Sequence, residues 1–396
     1  MRIVLFYHSA LSDWNHGNAH FLRGVAVELQ SRGHQVLICE RRDAWSAVNL
    51  AADHGDAALA ATRAAYPTLE ILRYDDTCAV EALLDPADLV IVHEWNTHGL
   101  VRRIGSHRAR TGQYVLLFHD THHRSVSDAS AMAEYDLEHY DGVLAFGEVI
   151  RRRYLDAGWA SRAWTWHEAA DTRVFRPRPE IDRERDVVWV GNWGDDERSA
   201  ELHEFLIQPV AQIGCTATVH GVRYPPAALA TLASAGIAYR GWIANFRVPQ
   251  VFAAHRAAVH VPRRPYVTTL PGVPTIRPFE ALACGVPLVS APWTDEEGLF
   301  RPGVDFLVAR NGHEMTQHLR AVLGDPALAS HLAANGLETI RTRHTCAHRV
   351  DELMAIVGAI RDGGRAATPS GGARREPVRG AMIATDDPSL TPEVSA

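Results

Sequence analysis

Lysine is absent from this sequence, because all 40 basic side chains among its 396 residues are arginine. Catalytic lysines depend on a pKa that the protein can shift, whereas arginine remains charged. The absence excludes Schiff-base chemistry, a pyridoxal phosphate anchor and a lysine-bearing P-loop. Any phosphate-binding site must therefore use arginine side chains or backbone amides.

Cysteine is scarce and long apolar runs are missing. The five cysteines are scattered and include no Cys-x-x-Cys pair, which argues against a disulfide framework or a structural zinc site and fits a reducing compartment. No stretch reaches the ~20 apolar residues that span a bilayer, and the apolar residues 1–7 lack a cleavage pattern. We therefore expect a cytoplasmic protein without a membrane span.

The net charge of −7 argues against a basic nucleic-acid binder, so we expect no nucleic-acid partner. The hydrophobic content of 46% and the charged content of 22% are typical of a globular protein. The length favours two domains. Composition thus indicates a soluble globular protein of two domains that is not a basic nucleic-acid binder.

The first half alternates predicted strands and helices. Apolar residues at helical spacing and a C-cap glycine at Gly33 follow the first strand. Continuous apolar runs predict buried strands at residues 3–6, 35–38, 88–92, 114–118 and 142–146. This alternation predicts a parallel, doubly wound sheet.

A second alternating series follows a stiff, charged segment at residues 171–186. Its predicted strands are residues 187–190, 216–220, 237–240, 257–261 and 286–290, and its predicted helices are residues 198–212, 248–255 and 277–284. We predict an α/β protein with two Rossmann-like domains facing each other across a cleft. The predicted parts are a first domain (1–175), a second domain (176–345), a closing helix (346–362) and a disordered tail (363–396).

The most informative stretch is PGVPTIRPFEALACGVPLVS, residues 271–290. A Gly/Pro-rich loop leads into a short helix, so the amides of residues 275–277 form an anion site, to which Arg277 adds a guanidinium. Glu280 lies one turn later, where a carboxylate could accept hydrogen bonds from vicinal hydroxyls. Together these features indicate a nucleoside diphosphate. For Glu280 alone, stabilisation by the helix dipole is the alternative.

This stretch resembles the nucleotide-binding segment of GT-B glycosyltransferases of "glycosyl transferases group 1", in the branch that includes the spore-maturation CgeB-like proteins. The resemblance continues through LFRPG (299–303) and HTCAHR (344–349), and it includes ADTRVFRP (170–177) between the domains. It implies a GT-B hexosyltransferase-like enzyme that uses a nucleoside diphosphate sugar, UDP-sugar by default. Because helix amides and arginine can replace a divalent cation at the leaving diphosphate, we expect no metal requirement.

The resemblance also assigns roles to residues. Glu280 would bind the donor ribose, and Thr275, Ile276 and Arg277 the diphosphate. Many relatives have a second glutamate eight positions earlier that contacts the sugar, where this sequence has Gly272. A retaining outcome is favoured.

Further donor contacts are expected from loops at the carboxyl ends of the second-domain strands. Glycines there allow close backbone approach, tryptophan offers a stacking face, and arginine suits a diphosphate. Ordinary turns, core packing of Trp242 and solvated surface arginines are the alternatives. The candidates are Asn192, Trp193, Gly221, Arg223, Arg240, Gly241, Trp242 and Arg263.

The first domain should bind a small-molecule or glycan acceptor and supply any catalytic base. His119 is the candidate for sugar contact or proton handling, with Asp120 as its orienting partner or as the base. Asp13 and His16 occupy the first loop, which contacts acceptor or diphosphate in this fold. Structural roles are the alternative for each histidine, since the chain has 22.

Two other classes of function remain open. A metal-dependent hydrolase could use His119, Asp120, His122 and His123 as ligands, together with His93. A nucleotide-sugar epimerase or a non-catalytic sensor could use the same fold. Metal content and turnover of a nucleotide sugar distinguish these alternatives from a glycosyltransferase.

Overall fold

A computed structural model describes residues 1–366. Within this part of the chain the molecule has two parallel sheets. The tail predicted for residues 363–396 lies outside the described residues, apart from its first four, which continue the last helix.

The first sheet has the order β3-β2-β1-β4-β5-β6-β7, and all of its pairings are parallel. Its strands are β1 (Arg2–Phe6), β2 (Gln35–Arg41), β3 (Glu70–Tyr74), β4 (Leu89–His93), β5 (Val115–Asp120), β6 (Gly142–Ala145) and β7 (Ala163–Thr165). Its helices are α1 (Ala19–Ser31), α2 (Trp45–His54), α3 (Asp56–Ala65), α4 (Val80–Leu84), α5 (His98–Thr111), α6 (Arg124–Ser127), α7 (Ala129–Ala133) and α8 (Glu148–Asp156).

The second sheet has the order β10-β9-β8-β11-β12-β13 and is also parallel. Its strands are β8 (Arg185–Val190), β9 (Ala217–His220), β10 (Ile237–Tyr239), β11 (His255–His260), β12 (Leu288–Ser290) and β13 (Leu307–Val308). The helices are α9 (Ser199–Leu202), α10 (Gln208–Ile213), α11 (Pro226–Ser234), α12 (Val248–Ala253), α13 (Arg264–Thr268), α14 (Ile276–Ala283), α15 (Gly312–Gly324), α16 (Pro326–Arg343) and α17 (Cys346–Ala366).

Local sequence explains many of these elements. Residues 3–6 of β1 are fully buried, as expected for a central parallel strand with both faces covered by other elements. The hydroxyl of Thr97 caps α5 by accepting from the Leu100 amide. Asp325 caps α16 by accepting from two amides, and Pro326 occupies its first position. A π-helical turn at His203–Ile207 joins α9 to α10, so the helix predicted at 198–212 is present as one irregular segment.

The last helix returns from the second domain to the first. α17 packs on α1, and Arg32, the C-cap residue of α1, pairs with Asp351 at 2.5 Å. The indole of Trp166 donates to the Arg349 carbonyl at 2.8 Å. In addition, Ile3 and Leu5 of the first sheet belong to the same apolar cluster as Phe279 of the second domain, so the two domains share part of one core. No described helix is long and apolar enough to cross a membrane.

Candidate functional site

The carboxyl ends of both sheets face a cleft between the domains. Two adjoining cavities of about 180 Å³ and about 60 Å³ occupy it and share several lining residues. Of the predicted residues, the structure brings these to the cleft: Asp13, His16, Asn192, Gly221, Trp242, Arg263, Thr275, Ile276 and Arg277. This location agrees with the position of ligand sites in open α/β sheets.

The start of α14 forms one wall of the larger cavity. Thr275 is the N-cap residue, but its side chain makes no capping hydrogen bond. Its hydroxyl instead lies 3.0 Å from His260 Nε2, and the other nitrogen of His260 contacts the Ser290 hydroxyl at 2.9 Å. The side chain therefore leaves the first helical amides open to an anion, which the helix dipole also favours.

Three arginines converge beside this helix start. Arg198, Arg263 and Arg277 all line the larger cavity. Arg263 pairs with Glu197 at 2.6 Å, whereas the guanidinium of Arg198 bonds carbonyl oxygens, including that of Val261 at 3.2 Å. Burial, and then the positive charge of Arg263, lowers the pKa of Arg198 to about 9. Such a positive, partly desolvated cluster is suited to a diphosphate.

The smaller cavity lies beside the larger one, between Trp242 and the first loop of the first domain. The indole of Trp242 donates to Asp13 at 3.2 Å, and its ring lies 4.7 Å from that of His54. Asp13 also accepts from the Asn245 amide at 3.0 Å and pairs with Arg23 at 3.1 Å. Because the carboxylate of Asp13 is fully engaged, it acts here as a domain bridge rather than as a free base.

The backbones approach closely around this cavity. A Cβ on Gly221 would lie 2.2 Å from the Gly191 carbonyl, so only glycine fits there. A Cβ on Gly17 would lie 3.0 Å from Ile276 across the cleft. The side chain of Asn192 donates to that of Asn15, which has a φ of 52°. The first loop is thus in direct contact with the second domain.

Glu168 is the acidic side chain among the described residues that line the larger cavity. It is buried, and burial raises its pKa to about 8, with a smaller opposing effect from a hydrogen bond with Asn18. His122 lines the same cavity, and burial lowers its pKa. A neutral carboxyl group and a neutral imidazole therefore face the space beside the arginines.

Glu280 does not face the cleft as predicted. Its side chain is fully buried, with Oε1 2.9 Å from Nδ1 of His20 on α1 and Oε2 bonded to Arg277. The helix turn places residue 280 towards the first domain, and the domain interface covers it. Contact with a ribose therefore requires the carboxylate to leave at least one of these partners.

His119 and Asp120 also differ from the prediction. The strand β5 continues to Asp120, so both residues lie within the sheet rather than in the loop. His119 is fully buried beside Trp166, with a ring separation of 4.8 Å, and burial lowers its pKa to about 3. Asp120 accepts from the Tyr154 hydroxyl at 2.9 Å. Neither lines the cleft; the loop that does begins at Thr121.

Four donor candidates lie outside the two cavities. Trp193 packs against Tyr224, and Arg223 pairs with Asp53 of α2 at 2.6 Å. Arg240 is exposed because it follows β10, the edge strand. The Gly241 carbonyl accepts from the Gly221 amide at 3.0 Å, so Gly241 supports the site from behind.

The ligand set of the alternative hydrolase is not assembled. His119 lies in the core, Asp120 bonds Tyr154, and His123 contacts the Ser127 hydroxyl at 2.9 Å. Among the described residues, the potential ligands that do meet are three histidines, His8, His16 and His93, of which His93 alone belongs to the set considered for the hydrolase.

Sequence reasoning missed Arg198, Glu168 and His260. The sequence predicts a helix that begins at Arg198, and the position of Arg198 just after the loop that follows β8 is the signal that could have identified it. Glu168 lies in the segment joining the domains, and His260 ends β11, where a polar residue at the carboxyl end of a strand indicates a site.

Comparisons with known proteins agree with this geometry. A family model described as "Glycosyl transferase-like" matches residues 198–355. The structure is similar to Anabaena HepE in complex with UDP-glucose, with a TM-score of 0.65 and 14% identity over 91% of this chain and 100% of that chain. The chain has the GT-B fold.

Two other solved structures are similar. Sucrose-phosphate synthase from Thermosynechococcus elongatus has a TM-score of 0.62 and 14% identity, covering 92% of this chain and 100% of that chain. An α-glucosyltransferase in complex with UDP has a TM-score of 0.66 and 12% identity, covering 90% and 100%. No curated protein sequence matched.

The matched domain and the GT-B fold support a transferase enzyme, as the sequence predicts. The assignment to the CgeB-like branch stays a prediction.

Proposed function

We propose that this protein transfers a sugar from a UDP-sugar to a small-molecule or glycan acceptor. The observation that carries the proposal is the convergence of Arg198, Arg263 and Arg277 on the open start of α14. That arrangement suits a diphosphate, and the smaller cavity beside Trp242 suits a base. HepE was solved with UDP-glucose and the α-glucosyltransferase with UDP, which supports uridine as the base.

Stabilisation of the leaving diphosphate is the main catalytic task of the second domain. Negative charge develops on the diphosphate as the bond to the sugar breaks, and preorganised donors stabilise that charge. Three guanidinium groups and the helix amides supply these donors here. Donor binding should therefore need no divalent cation.

The ribose would be held by Glu280 once its carboxylate exchanges Arg277 or His20 for ribose hydroxyls. Arg277 would then be free to contact the diphosphate, so one rearrangement would serve both groups. The sugar would lie in the larger cavity, where Glu168 and His122 face it from the first domain. We assign proton handling at the reacting end to Glu168 and favour a retaining outcome.

A thermal-shift screen with uridine, guanosine, thymidine and adenosine diphosphates tests the proposal. A ligand that binds the folded state raises the melting temperature by mass action. We expect UDP to give the largest rise, with or without EDTA, and UDP-sugar to be consumed only when acceptor is present. Failure of all four nucleotides to stabilise the protein would overturn the proposal. If one of the other three nucleotides stabilised the protein more than UDP, its base would replace uridine in the proposed donor.

A further inference from the structure

Two histidines of the first loop and one at the end of β4 meet in the first domain. His8 follows β1, His93 ends β4, and His16 lies in the loop after β1. β1 and β4 are neighbours in parallel register, with Phe6 opposite Val92, so their carboxyl ends lie side by side. One potential ligand nitrogen from each histidine lies within 4.8 Å of the others. His8 and His93 are buried, and His16 is half-buried at the cleft.

The hydrogen bonding of these imidazoles is incomplete. Nδ1 of His8 and Nε2 of His16 are buried and have no hydrogen-bond partner. The contact of His8 Nε2 with the Ser9 hydroxyl is long, at 3.5 Å. Buried polar atoms without partners are costly, and their clustering at one point indicates a missing ligand.

His93 is oriented in the way that metal-binding histidines commonly are. Its Nε2 lies 2.9 Å from the Thr121 hydroxyl, which in turn lies 3.5 Å from Glu94 Oε1. A hydrogen bond from one ring nitrogen fixes the tautomer and leaves the other nitrogen for the metal. That other nitrogen, Nδ1, accepts a hydrogen bond of 3.4 Å from the Trp95 amide. Because this hydrogen bond is long and weak, a metal ion could replace it.

We propose that His8, His16 and His93 bind a divalent transition-metal ion of the Zn²⁺ class. A ligand set of three imidazoles favours such an ion over Mg²⁺ or Ca²⁺, which prefer oxygen. Tetrahedral Zn²⁺ bonds of 2.0–2.1 Å place ligand nitrogens about 3.3 Å apart, so the site closes around the ion by small side-chain rotations.

The proposed site is separate from the phosphate-binding arginines and lies on the first-domain wall. His16 lines both cavities, so the fourth coordination position opens towards the cleft. A ligand in the cleft is therefore within reach of this position. The three histidines alone define the site, so it does not depend on the proposed function of the second domain.

Metal titration without nucleotide tests the proposal. Protein stripped with a chelator is titrated with Zn²⁺ by calorimetry and with Co²⁺ by visible absorption, where nitrogen-ligated tetrahedral Co²⁺ gives intense bands. We expect one equivalent per chain, a tetrahedral Co²⁺ spectrum and a higher melting temperature. His331→Asn is the matched control because His331 is an exposed histidine in the second domain.

The variants His16→Asn and His93→Gln should each weaken Zn²⁺ binding at least tenfold, while His331→Asn should bind as the wild type does. Circular dichroism of the metal-free variants shows whether they are folded. If the variants do not fold, the proposal is judged from the Co²⁺ spectrum of the wild-type protein, which should show tetrahedral imidazole ligation. Absence of one-equivalent binding, a spectrum without imidazole ligation, or equal binding by folded His16→Asn and His93→Gln would overturn the proposal.

Discussion

The carboxylate of Asp13 in the first domain accepts a 3.2 Å hydrogen bond from the indole nitrogen of Trp242 in the second. This bond joins the loop after β1 to the loop after β10 across the smaller cavity. The same carboxylate accepts from the Asn245 amide, so it fixes two points of the second domain. The cavity proposed for the base is therefore complete only when the domains are closed.

Replacing Trp242 tests that cavity. Trp242→Ala removes the aromatic face and the bond to Asp13, and we expect affinity for both UDP and uridine to fall about 3- to 10-fold, as for the loss of an aromatic contact. Trp242→Phe should lose less, because it keeps a ring. Isothermal calorimetry measures both variants, and Trp164→Phe, in the edge strand β7, is the control. Unchanged uridine affinity in Trp242→Ala would place the base elsewhere.

Replacing Arg198 tests the proposed diphosphate site at the start of α14. Arg198→Gln removes one positive charge beside α14, and a lost charge-assisted hydrogen bond lowers UDP affinity about 10- to 100-fold. Uridine carries no phosphate, so its affinity should be unchanged. Arg240→Gln is the matched control, since Arg240 is an exposed arginine of the same domain outside the cleft. Equal losses for UDP and uridine would contradict the assigned role.

Local sequence was sufficient to predict the alternating strands and the start of α14. Continuous apolar runs such as residues 3–6 mark buried parallel strands whatever surrounds them. The helix predicted at 277–284 is observed at Ile276–Ala283, because a Pro-rich loop before it and a glycine after it are strong local signals. The segment that we propose binds phosphate could therefore be located without a structure.

Side-chain direction could not be read in the same way. The strand containing His119 runs two residues further than predicted, so alternation turns His119 towards the face of Leu117 rather than into a loop. The partner of Glu280 is His20, 260 residues earlier, and only the packing of the two domains brings them together. Contacts of this kind depend on tertiary structure and leave no local pattern.

The proposed contact between Glu280 and the donor ribose can be tested with 2′-deoxyuridine diphosphate, which lacks one of the two ribose hydroxyls. Glu280→Gln keeps the shape of the side chain but removes its charge. We expect wild-type protein to prefer UDP over the deoxy analogue and Glu280→Gln to lose most of that preference, with a higher KM for donor. If Glu280→Gln still prefers UDP over the deoxy analogue but melts at a lower temperature, the role of Glu280 is structural and depends on its contacts with His20 and Arg277.

Glu168 should make stability depend on pH. Burial raises its pKa from 4.5 to about 8, so the folded protein holds a proton that the unfolded chain releases. Between these two values the folded state binds more protons, and stability therefore falls as pH rises. Glu168→Gln removes this contribution, so its melting temperature relative to wild type should be higher at pH 8.5 than at pH 5.

Activity separates a catalytic role for Glu168 from a purely structural one. If Glu168 handles a proton during transfer, Glu168→Gln lowers kcat and removes the pH-dependent limb near pH 8 from the kcat profile, while UDP affinity stays close to that of wild type. Glu180→Gln is the control, because Glu180 is an exposed glutamate of the segment joining the domains. A variant that keeps the wild-type kcat profile but shows the altered stability profile would limit Glu168 to shaping the cavity.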